Sequence, residues 1–223
     1  MKNFPALFFL VLQFSCSAVM WSGTKSSPRP GDAGTPIISN PMPEPSDTSF
    51  PAENIRRREE YAVYDTVLEN LFETGELQCI VLKDFTTARN FIEEEEQTLE
   101  YVRENLPEMP QAVWDNFISR NQTPVALEPV FHFPLPIILI SQKEISGIFF
   151  EQEGDGWDRF YDNYRGAQGI MDISQAGFNP GFTRALVYAG DQSNYLAGVG
   201  FLYYLEKVGG SWNIRNSVMV WIS

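Results

Sequence analysis

Asp172 and Glu206 are the carboxylates that stand out in this sequence. Each interrupts a stretch patterned as a β-strand, where an unpaired charge loses hydration with nothing in return. Two carboxylates, one of them with its pKa raised in an apolar pocket, are what glycosidic and related hydrolysis requires. This pair therefore defines a hydrolase reading. Glu151, Glu153 and Asp155 alternate before Gly156, and Asp162 falls twelfth counting from Glu151. That spacing echoes a calcium loop, in which oxygen ligands surround a hard cation and a Gly permits the turn. The departures are Glu at the first position, Asp at the last, and a helix-like Trp157-Asp-Arg-Phe160 where the loop should continue. A solvated helix end is the plainer reading, and no metal or other cofactor is implied. Tyr195, in the loop Gly190–Ala197, and Asn216, the polar member of an otherwise apolar strand face, are the remaining places where a ligand would meet an aromatic ring or an amide.

Other chemistry is excluded by what is missing. The chain has one His and two Cys, too few for the four nitrogen and sulfur ligands of a structural zinc site. No phosphate loop, nucleotide fingerprint or nucleophile elbow occurs. With 16 Lys and Arg against 29 Asp and Glu, the net charge is −13, which opposes nucleic-acid binding because phosphate recognition needs clustered cations. Cys79 lies in the apolar run Leu77–Leu82 and reads as a small buried hydrophobe. Glu93–Glu96 opens a helix, where the macrodipole favours negative charge. Asn121-Gln-Thr123 is a glycosylation sequon followed by Pro124.

The elements that would carry these residues begin with an address. Residues 1–20 have one Lys, an apolar run from Phe4 to Phe14, and small residues after it, the layout of a secretory signal. The run is too short to cross a bilayer as a helix, which takes about 20 residues. Ser15-Cys16 fits the end of a bacterial lipoprotein signal, although Gln13 and Phe14 depart from that pattern. Cys16 is thus the expected lipidation site, with ordinary cleavage near Ser17 or Ala18 as the alternative. Acyl chains on Cys16 would hold the protein at the membrane by burying CH₂ groups worth about 0.8 kcal/mol each. Removal of residues 1–15 leaves 15 basic residues against 29 acidic ones, a net −14. Residues 21–52 contain seven of the 15 prolines, with Gly, Ser, Thr and Asp filling most of the rest. Such composition cannot offset its ordering entropy, so this stretch reads as an extended tether.

A single domain is expected over 53–223. Tyr61, Tyr64, Leu68, Leu71 and Phe72 recur at helical spacing, with Gly75 as the stop. A short buried strand over Leu77–Leu82 follows. Next comes a helix over 91–106 with Ile92, Leu99, Val102 and Leu106 inward, then a helix opened by Pro110 that buries Val113, Trp114, Phe117 and Ile118. Ile137–Ile140 reads as a strand. Ser141-Gln-Lys-Glu144 is a capping box, and 155–164 a further short helix. After Gly169 the texture turns to strands over 170–178, 185–189, 199–208 and 212–222, punctuated by Asn179-Pro-Gly181 and Gly209-Gly210. Short connections imply antiparallel neighbours. The fold class is therefore α+β: N-terminal helices packed on a C-terminal antiparallel meander of about four to six strands. Trp212, Ile214, Val218, Val220 and Ile222 are expected on one face, with Met219 and Trp221 on the other. Apolar residues on both faces suit two-sided burial, or a curved sheet wrapped on a helix.

The wording of the second half resembles a group of uncharacterised exported bacterial proteins. The residues that carry the likeness are Gly169-Ile170, Ser174-Gln-Ala-Gly177-Phe178-Asn179, Ala185-Leu-Val-Tyr188, Gly198-Val-Gly200, Tyr204-Leu-Glu-Lys207, Gly210-Ser-Trp212 and Trp221-Ile-Ser223. Tyr61-Ala-Val-Tyr64, Trp157 and Phe160-Tyr161 extend it over most of 61–223. The resemblance implies export and carries no activity. Where some of that group have Cys-Gly pairs, this chain has Asp191-Gln-Ser-Asn-Tyr-Leu-Ala-Gly198, so a thiol role there is absent.

Address, tether and missing constellation together point to an exported, membrane-tethered, non-enzymatic domain of the bacterial cell envelope that binds an envelope protein or a small ligand. The alternatives are a carboxylate-dependent hydrolase and an acidic inhibitor or structural partner of a basic secreted protein, the latter motivated by the charge.

Overall fold

The computed structural model describes residues 50–72, 75, 77–88, 95–151 and 153–223. The signal segment, Cys16, the tether up to residue 49, Ile92 and the start of the acidic run at Glu93 lie outside the described residues. The elements run α1 (Phe50–Leu71), β1 (Ile80–Lys83), α2 (Glu95–Asn105), α3 (Gln111–Arg120), β2 (Ile137–Ile140), α4 (Gln142–Phe149), α5 (Gly156–Asn163), β3 (Ile170–Ile173), β4 (Gly177–Phe178), β5 (Arg184–Asn194), β6 (Ala197–Val208) and β7 (Ser211–Ile222). The expected α+β class is observed. The seven strands form one sheet in the order β2-β1-β3-β5-β6-β7, with β4 paired to β5.

Local signals explain most of the elements. The capping box at Ser141 is present, with its hydroxyl accepting from Glu144 N and the Glu144 carboxylate accepting from Ser141 N. Asp155 caps α5. Gly209 and Gly210 both have positive φ and turn β6 into β7, which pair antiparallel along nearly their whole length.

Several features differ from the sequence expectation, among them the strand expected over 170–178, which is divided into β3 and β4, each paired antiparallel with β5. First, α1 starts at Phe50, three residues before the expected domain boundary, with Pro51 in the first turn, where its missing N–H costs no intrahelical bond. Second, the sheet is mixed: β1 pairs parallel with both β2 and β3. The helical connections α2–α3 and α4–α5 are the crossovers that parallel strands require. Third, the Gly190–Ala197 loop is a hairpin, because β5 continues to Asn194 and β6 restarts at Ala197.

Both faces of the sheet are buried. On one, Tyr61, Tyr64, Val67 and Leu68 of α1 pack on Leu82, Met171, Val187, Tyr203 and Leu205. The other face is covered in two parts. Val113, Trp114 and Phe117 of α3 pack on Leu186, Tyr188, Leu202 and Tyr204, while Ile148, Trp157 and Phe160 of α4 and α5 pack on Val81, Ile140 and Ile170. Pairing shifts at Tyr204/Leu205 and at Gly200/Phe201 change which residues of β7 face the same way. Trp212 and Ile214 therefore lie with α1, whereas Val218, Val220 and Trp221 lie with α2 and α3. This corrects the single-face expectation for the last strand. The bulges also twist β7, a long edge strand that would otherwise offer a flat pairing surface.

A polar clamp joins the layers. The Arg120 guanidinium spans both oxygens of Glu60 at 2.8 and 3.1 Å, and Glu60 also accepts from Ala176 N at 2.7 Å. Asn121 is fully buried, donating from its amide to Phe117 O and Gln175 O and accepting from Gln175 N. The sequon asparagine is thus inaccessible in the fold.

Candidate functional site

Asp172 and Glu206 point to the same face of the sheet but do not meet. Asp172 pairs in register with Gly190, which pairs with Gly200, and Glu206 lies six residues further along β6. At about 3.4 Å per residue the separation along the strand is roughly 20 Å. Glu206 is occupied by the guanidinium groups of Arg184 and Arg215, the latter at 2.9 Å. Asp172 accepts from Lys83 Nζ at 3.4 Å and from the Tyr188 hydroxyl at 3.3 Å, and Trp221 Nε1 donates to Tyr188 Oη at 2.8 Å. Burial and the Asp172 charge push the Tyr188 phenol well above its ordinary range. Gly200 permits the arrangement, because a Cβ there would strike the Trp221 indole.

Asp191, one residue from this chain of contacts, is the strained member. Burial, reinforced by the charge of Asp172 and opposed by the amide of Gln168, raises its pKa to about 6. Its Oδ1 is buried without a hydrogen-bond partner. A carboxyl raised in the fold is stabilised as the neutral acid, so its burden on stability grows as pH climbs from about 4 through about 6. Asp191→Asn is therefore expected to raise the melting temperature at pH 8 and to leave it unchanged at pH 4. Equal effects at both pH values would show that ionisation of Asp191 is not the cause.

The other sequence candidates have structural employment. Tyr195 Oη accepts from Gly156 N at 3.2 Å and docks the β5–β6 turn onto the start of α5. Asn216 donates to Asn105 O at 3.0 Å, closing the end of α2. Asp155 accepts from Trp157 N at 2.7 Å and Asp158 N at 3.4 Å. Among the described residues no group of three or more His, Cys, Asp and Glu side chains could hold a metal ion, and Asp155, the third of the calcium candidates with Glu151 and Glu153, is the N-cap of α5. Cys79 is a buried free thiol whose pKa is raised by burial.

An open concavity lies elsewhere, against α1. A cleft of about 570 Å³ is bounded by α1, by His132 of the preceding loop to β2, and by the β6–β7 turn. Its floor is a carboxylate that sequence reading passed over. Glu59 is 4% exposed, accepts from Lys207 Nζ at 2.5 Å and Trp212 Nε1 at 3.0 Å, and meets Arg58 at 3.2 Å. Burial alone would raise its pKa, but the hydrogen bonds from Lys207, Trp212 and Arg58 outweigh it and hold the carboxyl below its ordinary range. On the wall, Asp65 accepts from His132 N at 3.0 Å, while burial lifts its carboxyl above the usual value. Thr66 and Glu69 continue that wall. The cleft thus offers cations and carboxylates side by side over an indole edge, a surface suited to a small polar molecule or a peptide end. A signal for Glu59 existed: it stands four residues before the buried Val63, as Glu60 stands four before Tyr64, so helical spacing turns both inward.

Compared with known protein families, curated proteins and solved structures, the chain matches none. Among the described residues no helix is long and apolar enough to cross a membrane. Several residues of the stretches read from sequence as resembling exported proteins have architectural roles. Gly177 lies against the α3 backbone, Gln175 binds Arg120 O and Thr123 O, and Asn179 closes the turn onto Thr183 and Arg184. Lys207 and Trp212 are the exception, because they meet at the cleft floor.

Proposed function

We propose that this chain is an exported binding domain, held at the bacterial cell envelope through a lipid on Cys16, and that its ligand occupies the cleft between α1 and the β6–β7 turn. The supporting observation is the Glu59–Lys207–Trp212 floor. A carboxylate kept ionised by its partners has no proton to give at neutral pH, so it serves as a fixed polar platform rather than as an acid catalyst. The neighbouring Asp65, Glu69 and Arg58 supply recognition of charge around it. The ligand is a small polar molecule or the end of a peptide belonging to an envelope component.

The Trp212 indole N–H donates to Glu59, so its nitrogen–proton resonance reports on the floor of the cleft. Addition of the right member of a panel of amino acids, short peptides and sugars is expected to move that resonance while leaving the core residue Trp114 unmoved. A panel that never moves it, together with crosslinking in native membranes that recovers no cleft contact, would remove the binding reading. For the anchor, labelling with a fatty acid is expected in the natural chain and absent in Cys16→Ala. Equal labelling of the two would remove the lipid from Cys16.

A further inference from the structure

We propose that the corner where the α4–α5 connection meets the β5–β6 turn is a docking surface for a basic protein segment carrying an apolar side chain. It goes beyond the cleft and shares no residue with it. Leu196 and Phe150 are the two most exposed large hydrophobic residues described, at 85% and 75%, and Tyr195, beside Leu196 in the β5–β6 turn, is 54% exposed. Contacts bring together the two segments that carry them. Phe150 follows Phe149, whose ring lies against Gly156, and Gly156 N donates to the Tyr195 hydroxyl. The Tyr195 ring stands edge-on to Trp157 at 6.4 Å, and Trp157 in turn packs against Phe149 at 5.0 Å and Phe160 at 5.4 Å. Tyr195 therefore rests on a packed aromatic base with Leu196 next to it in the turn, which lowers the cost of ordering that turn in a complex.

The rim selects the occupant. Glu151, Glu153, Asp155 and Asp158 are all exposed around this corner. The local cation, Arg159, is turned back to donate to Ile148 O and Glu153 O. An apolar centre with an acidic rim complements a basic segment with an apolar anchor. The same rim opposes an anionic lipid surface. It also opposes a second copy of this chain, since a two-fold contact would place acidic rim on acidic rim.

The test titrates the full-length chain with two short synthetic peptides of equal charge, one alternating Lys with Leu and the other Lys with Ser, and follows backbone amide resonances. The Lys–Leu peptide is expected to shift residues 150–158 and 194–197, to bind about tenfold more tightly than the Lys–Ser peptide, and to lose about tenfold in affinity in F150S/L196S. Both replaced side chains are solvent-exposed, so the variant keeps its fold, which its remaining resonances verify. Shifts spread over carboxylates elsewhere, or equal affinity for the two peptides or for the variant, would overturn the proposal. So would tighter engagement of the same corner by phosphatidylglycerol vesicles, or a self-association abolished by F150S/L196S.

Discussion

Lys207→Met is expected to destabilise the domain by about 3 kcal/mol at pH 7, because it strands the Glu59 carboxylate in a buried site. The Lys207 side chain is 23% exposed and that of Glu59 only 6%. The Trp212 N–H and the mostly exposed Arg58 remain, which places the loss at the lower end of the range for a broken buried pair. The pH dependence identifies the cause. In the natural chain the Glu59 carboxyl titrates below its ordinary value of 4.5. Its contribution is therefore complete above that value and is lost as pH falls through the lower native one. Without Lys207 its hydrogen bond and its charge no longer oppose burial, so the carboxyl is expected to rise and the penalty of the substitution to be larger at pH 7 than in acid. Urea denaturation at pH 7 and pH 4 measures both limbs. The double variant Glu59→Gln/Lys207→Met should recover part of the loss, because no charge is then left buried. A change at pH 7 smaller than about 0.5 kcal/mol, the size usual for an ordinary surface substitution, would mean that Lys207 does not hold Glu59.

Gly177→Ala is expected to be comparably damaging, for a steric reason. A Cβ at Gly177 would lie 2.5 Å from both N and Cα of Phe117. Those are backbone atoms in the middle of α3 and cannot rotate away. Helix α3 would have to lift from β4, taking with it Asn116, whose side chain accepts from Phe178 N at 2.8 Å, and Asn121, which holds Gln175. Overpacking of this kind costs about 3 kcal/mol, at the upper end of its usual range. Gly181 provides the control, since a Cβ there meets nothing closer than 4.0 Å. Thermal melting should separate Gly177→Ala clearly from Gly181→Ala. Coincident melting curves for the two would show that α3 does not rest on β4 at this distance.

The sequence carried the local part of the architecture. Pro110, the Ser141 capping box, the Asp155 cap and Gly209-Gly210 each act within a few residues, and each marks an element boundary in the fold. The apolar stripes of α1 and α3 likewise named most of the residues they bury, though Leu71 and Ile118 are only half-buried and Val63 was missed, because helical spacing converts sequence position into direction. The candidate site was less legible. Glu59 sits in Arg56-Arg-Arg-Glu-Glu60, a run that by composition reads as a solvated helix face. Its partners Lys207 and Trp212 are about 150 residues away, and no local rule connects them. Asp172 and Glu206 show the converse: both interrupt strands, yet register along β5 and β6 carries them apart.

What the sequence determined by itself was therefore most of the elements, with β3 and β4 read as one strand, and the antiparallel run β5–β7, whose short turns leave no other pairing. Only the tertiary structure decided that β1 lies between β2 and β3, that two bulges exchange the faces of β7, and that α1 closes over Lys207 and Trp212 to make a cleft. The physical reason is the range of the interactions. Caps, turns and stripes are satisfied by neighbours in the chain, whereas strand order, register and a buried ion pair are satisfied by distant groups that meet only when the whole core assembles.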